Sequence, residues 1–129
     1  MSGDGLASIR SDRPVAETTA AIRAEAERRG ATVAAVVDHA AAARGAGLAM
    51  PDTQVVIFGN PRAGTPAMLA APDIAIDLPL RIMVRDDGGP GSLITWQDPA
   101  FVAARYGLAG DQAAFLNVPA AIAQAVTAH

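Results

Sequence analysis

The stretch from Leu78 to Asp98, LPLRIMVRDDGGPGSLITWQD, constrains the fold more than any other part of the chain. Leu80, Ile82 and Val84 alternate with Arg81, Met83 and Arg85, which is the period of a strand lying with one face on a core. DDGGPG supplies turn residues, and Leu93 to Trp96 supplies a return strand. Such a hairpin commits at least part of the chain to antiparallel pairing.

Around it the remaining signals alternate between strand and helix. Leu6 to Arg10 reads as a short first strand. Pro14 to Arg29 places Val15, Ile22 and Ala26 at helical spacing, with Glu17, Arg23, Glu25, Glu27 and Arg28 on other faces and Gly30 as the stop. Residues 31–37, ATVAAVV, form a β-branched run ending at Asp38-His39. A short helix broken by Gly45 and Gly47 follows. Gln54 to Phe58, QVVIF, has the length and composition of a central strand buried on both faces. Thr65-Pro66 and Asp98-Pro99 each read as a capping residue followed by a first-turn proline. A final helical region from Asp111 to Ala128 restarts near Asn117-Val118-Pro119. The order predicts one α+β domain over residues 1–129, a mainly antiparallel sheet with helices packed on one face.

Composition then removes several chemistries. The 129 residues contain no lysine and no cysteine. Schiff-base catalysis, a lysine base, thiol nucleophiles, disulfides and cysteine metal sites are therefore absent. A formal net charge of -3 argues against binding a nucleic-acid backbone, which needs clustered positive charge. The first residues are polar and acidic where a secretory leader needs an apolar run, and no segment has the roughly 20 apolar residues of a membrane span. A cytoplasmic protein without membrane contact is the expectation. The Ala, Gly, Pro and Arg bias also suggests a GC-rich bacterial genome.

FGNPRAGTP, residues 58–66, is the sharpest candidate site. Gly59 and Gly64 have the spacing of a phosphate-cradling loop, but Thr65 stands where the lysine belongs, Pro66 where the hydroxyl belongs, and Pro61 removes a backbone donor. Nucleotide hydrolysis by a phosphate loop of this kind is therefore not expected. A simpler anion site is predicted at the 59–66 turn, built from Asn60, Arg62, Gly64 and Thr65 at a helix start, set against the plainer reading of a tight strand-to-helix turn. His39, the internal histidine, is a candidate general base. Asp38 beside it points to the opposite face of a strand and is poorly placed to orient it. With no cysteine and only the terminal His129 besides His39, no metal site is predicted. No cofactor is predicted either.

The series Asp38-His39-Ala40-Ala41-Ala42-Ala43, Gly47-Leu48, FGNPRAGTPAM, IDLPLR at 76–81, the hairpin, and Asp98-Pro99 before a helix ending YGL resembles the bacterial and archaeal domain of unknown function 302 family. The likeness runs from about residue 12 to 108, with 109–129 left as a C-terminal helical extension. It implies a compact α+β fold of the TATA-binding-protein-like class, a curved sheet in the order β-α-β-β-β-β-α, and no settled activity. Its motif marks Asp38, His39, Asn60, Pro61, Gly64, Thr65, Met68, Asp77, Leu78 and Pro79. The chain departs from the pattern at Arg81, Arg85 and Trp96.

Three functional expectations follow. In the first, the protein binds a small polar or anionic ligand at the 59–66 turn with Asn60, Arg62, Gly64, Thr65, Asp38 and Asp77. In the second it is an enzyme using His39 as general base, with Asn60 or turn N–H groups stabilising negative charge. In the third it is a homodimeric interaction module, joined through alanine-rich helices and an exposed sheet edge.

Overall fold

The computed structural model describes residues 4–128. Its strands are β1 (Leu6–Ser11), β2 (Thr32–Asp38), β3 (Thr53–Gly59), β4 (Leu80–Arg85) and β5 (Ser92–Gln97). They form one antiparallel sheet in the order β1-β5-β4-β3-β2. The hairpin lies where the alternation predicts it, with Ile82 opposite Trp96 and Val84 opposite Ile94. Its turn ends at Gly91, where φ is 65° and a Cβ would lie 2.0 Å from the Ser11 carbonyl oxygen. Only glycine tolerates that conformation and that approach.

Helix α1 (Val15–Arg28) buries Val15, Thr18, Thr19, Ile22 and Ala26, one stripe at three- and four-residue spacing. The Thr18 hydroxyl sits in a buried trio with Ser11 (2.8 Å) and Ser92 (3.2 Å), which fixes the start of the helix against β1 and β5. Helix α2 (His39–Gly45) follows β2 directly. At the other end of the chain, 3-10 turns at Gly110–Gln112 and Ala114–Asn117 lead into α5 (Val118–Thr127), so the restart falls where Asn117-Val118-Pro119 predicts it. Ile22 and Ala26 of α1 and Ile122 and Ala123 of α5 meet Val56, Phe58, Ile82, Val84, Ile94 and Trp96 in the main core. The helices therefore cover one face of the sheet.

That arrangement corrects the reading of QVVIF as a central strand. β3 is second from an edge and β4 is central. Val56 and Phe58 are buried, but Val55 and Ile57 on the opposite face are only half-buried. A continuous β-branched run satisfies either environment, so composition does not distinguish them.

The helix after β3 also begins earlier than Thr65-Pro66 suggests. Helix α3 spans Pro61–Ala70, with Asn60 as its cap and Pro61 in its first turn. Pro66 therefore sits inside the helix, where it lacks the N–H that would bond the Arg62 carbonyl. Pro72 opens a 3-10 segment, Pro72–Asp77, that leads through a cis Leu78–Pro79 bond into β4. Asp98 caps α4 (Pro99–Tyr106) as predicted, accepting from the Ala100 N–H at 3.3 Å. A second core of Ala67, Ile74, Val102, Leu108 and Leu116 joins α3, α4 and the 3-10 turns, and Leu80 packs against both cores. Among the described residues no helix is long and apolar enough to cross a membrane.

Candidate functional site

Asn60 turns the chain from β3 into α3 by spending its own polar groups. Its side-chain oxygen accepts from the Arg62 N–H at 3.0 Å, and its carbonyl accepts from Ala63 (3.0 Å) and Gly64 (2.9 Å). Pro61 has no N–H to offer. The first-turn donors on which an anion would depend are thus engaged within the protein. The Arg62 side chain is exposed and takes no part in the adjoining cleft.

That cleft, about 490 Å³, lies between α3 and the paired ends of β2 and β3. Thr32 and Ala34 of β2 form one wall, and Gly64, Thr65 and Met68 of α3 another. Leu78, Pro79 and Phe115 close the far side. Gly64 leaves space there: a Cβ would lie 3.8 Å from Leu78 and 3.9 Å from Met68, in ordinary contact. Among the described residues no charged side chain lines the cleft, whose polar groups are Asn60 and the hydroxyls of Thr32 and Thr65. A largely apolar hollow with a few polar handles is the usual form of a small-molecule site, and the volume is adequate. A second hollow of about 310 Å³ shares Gly59, Asn60, Leu80 and Phe115 with it and adds Arg29.

His39 and Asp38 lie elsewhere. Thr32 pairs with Gly59 at the cleft end of the β2–β3 ladder, whereas Asp38 pairs with Gln54 at the other end. Six strand residues at about 3.3 Å each separate them by roughly 20 Å. His39 is exposed in the first turn of α2 and lines none of the hollows around Asn60. Asp38 caps that helix, accepting from the Ala41 N–H at 2.9 Å and from Gln54 Nε2 at 3.2 Å. His39 and Asn60, paired in the enzyme expectation, are not brought together. His129 lies outside the described residues. Among those residues no group of three or more acidic, histidine or cysteine side chains is placed to hold a metal ion.

Asp77 is the centre of a different cluster. Its carboxylate accepts from Arg105 (3.0 Å), Arg81 (3.4 Å), Gln97 (3.5 Å) and the Tyr106 hydroxyl. Burial pushes its pKa up, but hydrogen bonds from Tyr106, Gln97 and Arg105 outweigh that and hold it below the ordinary carboxylate value. The same bond, with burial, pushes the Tyr106 hydroxyl up. Arg105 also lies over the Phe101 ring, 5.1 Å from its centroid. The void beside Asp77 is about 20 Å³, room for one water rather than a ligand. Asp77 does not line the larger cleft, but Leu78 and Pro79, which follow it, do. Sequence reasoning missed Phe115 as a cleft wall and Tyr106, Arg105 and Gln97 as partners of Asp77. The signal for Phe115 was its standing as the lone aromatic after Tyr106.

The family model described as domain of unknown function DUF302 matches residues 7–127. This chain belongs to the DUF302 family. The matched region includes α5, whose Ile122 and Ala123 complete the main core, and so extends past the 12–108 stretch carried by the motifs. A crystal structure of an uncharacterized conserved DUF302 protein from Bacillus stearothermophilus shares the fold, with a TM-score of 0.73 at 14% identity over 96% of this chain and 94% of that one. Fluoride-specific ion channel FluC 1 of Brucella suis biovar 1 (strain 1330) is 41% identical over 104 residues, covering 81% of this chain and 41% of the relative. Fluoride-specific ion channel FluC 2 of Brucella melitensis biotype 1 has the same identity over 38% of its length. The DUF302 chain thus spans about two fifths of the length of the curated relatives it matches.

Proposed function

We propose that this DUF302 chain is a binding domain that takes a small, mainly apolar molecule into the cleft between α3, β2 and Phe115. The lining of the cleft carries this reading. Its walls are apolar or small, its polar groups are neutral, and the neighbouring first-turn N–H groups are already bonded, which favours an apolar ligand with one or two hydrogen-bonding groups over a phosphate. Asn60, Thr65 and Thr32 are the handles for the polar end. Thermal unfolding with a panel of fatty acids and small aromatic compounds, alongside phosphates and carboxylates, tests the reading. The apolar compounds should raise the melting temperature, and Gly64→Leu, which grows a side chain into the cleft, should abolish that rise. Stabilisation by phosphates alone, or unchanged binding in Gly64→Leu, would sink it.

The relatives favour a second reading. Proteins named as fluoride channels carry a segment 41% identical to this chain, and most of their length lies outside that segment. On this reading the chain works beside a fluoride channel, as a ligand-binding companion rather than as the conducting part. Cells expressing such a channel with and without this chain should then differ in fluoride efflux; identical efflux would remove the idea.

A further inference from the structure

The two edges of the sheet are unlike. β1 carries Arg10, which forks Asp87 of the hairpin turn, and the serines Ser8 and Ser11. β2, at the other edge, reads TVAAVV with no charge until its last residue, Asp38, and among the described residues no strand pairs with its outer side. Uncharged, unpaired edges are templates for strand addition, which is why monomeric proteins usually place charge or proline there. The bulge at Ala34 interrupts the ladder with β3 at one end and leaves Ala35–Asp38 regular.

Exposed apolar side chains gather near both ends of this strand. At the Asp38 end, the segment between α2 and β3 exposes Leu48 (67%) and Met50 (42%). At the Thr32 end lies the open apolar cleft, and the residues following its walls Met68 and Ala75 are Leu69 (80% exposed) and Ile76 (82%). A two-fold axis across the middle of an antiparallel strand pair brings the start of one strand beside the end of the other. Such an axis through β2 lays the Leu48–Met50 segment of each copy against the cleft end of its mate.

We propose that β2 pairs antiparallel with β2 of a second copy of this chain, forming a continuous ten-stranded sheet in which each copy's Leu48–Met50 segment covers the other's cleft. The chemistry of the edge selects this partner. A strand uncharged from Thr32 to Val37 offers a self-complementary row of N–H and C=O groups, in which Asp38 falls opposite the mate's neutral Thr32, and the exposed apolar residues at the two ends are brought together by the same rotation. The covering part rests on the cleft being a binding site; the strand pairing does not.

Sedimentation of the wild-type chain over a concentration series should give twice 13.1 kDa. Ala35 is exposed in mid-strand, so Ala35→Lys or Ala35→Glu leaves the fold intact while setting like charges opposite one another at the axis. Each variant alone should sediment as a monomer with an unchanged far-ultraviolet spectrum, and an equal mixture of the two should recover the dimer. Of the consecutive Val36 and Val37, the one whose N–H points away from β3 should exchange more slowly as the wild-type concentration rises. A wild-type monomer at every concentration, a dimer indifferent to Ala35→Lys, or exchange independent of concentration would each overturn the pairing. For the cleft, an apolar fluorescent probe should bind the Ala35→Lys monomer about tenfold more weakly than the dimer, with binding restored in the Lys and Glu mixture. A dimer that binds no probe would sink the cleft and its cover and leave the strand pairing standing; equal probe binding by monomer and dimer would sink the cover alone.

Discussion

The cleft beside Asn60 and the cluster around Asp77 flank one short segment of chain, yet their chemistry is opposite. At Asp77 one carboxylate is surrounded by four donors drawn from β4, β5 and α4, and almost no free volume remains. At Asn60 the volume is large and the available polar groups are few and neutral. The carboxylates Asp38 and Asp77, which a sequence reading assigns to ligand capture, are engaged in a helix cap and in this cluster. The larger free volume lies where the lining is neutral, and the smaller where it is charged. The two regions are joined covalently, since Leu78 and Pro79 line the cleft immediately after Asp77 anchors the turn before them.

Removing the anchor should produce the largest effect. Asp77→Ala leaves Tyr106, Arg105, Arg81 and Gln97 without their shared acceptor. Both arginines are about half-exposed, so the cost falls below that of a fully buried pair and is about 2 kcal/mol. Urea unfolding measures it. If Asp77 also positions the cleft wall, binding of an apolar probe should weaken in the folded variant; unchanged binding would show that the two regions are energetically separate.

The same bond should be visible in the pH dependence of stability. Asp77 has a folded pKa below its unfolded value of about 3.9, so its contribution is complete above that pH and is lost as pH falls through the depressed folded value. Glu25, held at about 2 by Arg28 and then Arg29, and Asp87, held at about 2 by Arg10 and then the Gly89 N–H, act in the same direction. Stability should therefore be flat from neutral pH to about 5 and decline between about 4 and 2. Tyr106 supplies the opposite arm. Its folded pKa is raised, so its contribution is present below about 10 and lost as pH rises through the raised value. Asp77→Asn should shrink both arms, and an unchanged alkaline arm would show that the Tyr106 bond contributes nothing.

A smaller effect should come from the cleft's own corner. Asn60→Ala removes the cap on the Arg62 N–H and should cost about 1 kcal/mol by urea unfolding. It also frees that N–H beside the cleft, so any weak affinity for phosphate should rise as stability falls. No gain in phosphate binding would mean that the corner is unsuited to anions even when uncapped.

Local signals were legible in the sequence where one physical rule acted alone. The alternation from Leu80 to Val84 and the helical stripe of Val15, Ile22 and Ala26 sit where expected because burial on one face dictates each, and the Asp98-Pro99 cap does because a first-turn N–H needs an acceptor. At 60–66 one rule is met twice, since Asn60-Pro61 and Thr65-Pro66 are both a capping residue followed by proline. The earlier pair prevails because β3 ends at Gly59 and Asn60 reaches the Arg62 N–H at once, although that leaves Pro66 within the helix. The Asp77 cluster was the least legible part. Gln97, Arg105 and Tyr106 come from β5 and α4, and only the folded arrangement of those elements brings them to one carboxylate.

Gly64 separates the two roles of the 59–66 segment most directly. It lies in the interior of α3 without a left-handed φ, and an added Cβ would meet only Leu78 and Met68 at ordinary contact distance. Backbone geometry therefore does not require glycine there. Gly64→Ala should stabilise the protein by about 0.5–1 kcal/mol, since alanine loses less backbone freedom in a helix. Its single methyl should narrow the cleft without filling it, so apolar ligands should bind somewhat more weakly while Gly64→Leu blocks them. A loss of stability in Gly64→Ala would place the glycine in the architecture, with Asp77. A gain in stability together with weaker binding would place it with the cleft, as a residue that keeps space open at the expense of helix stability.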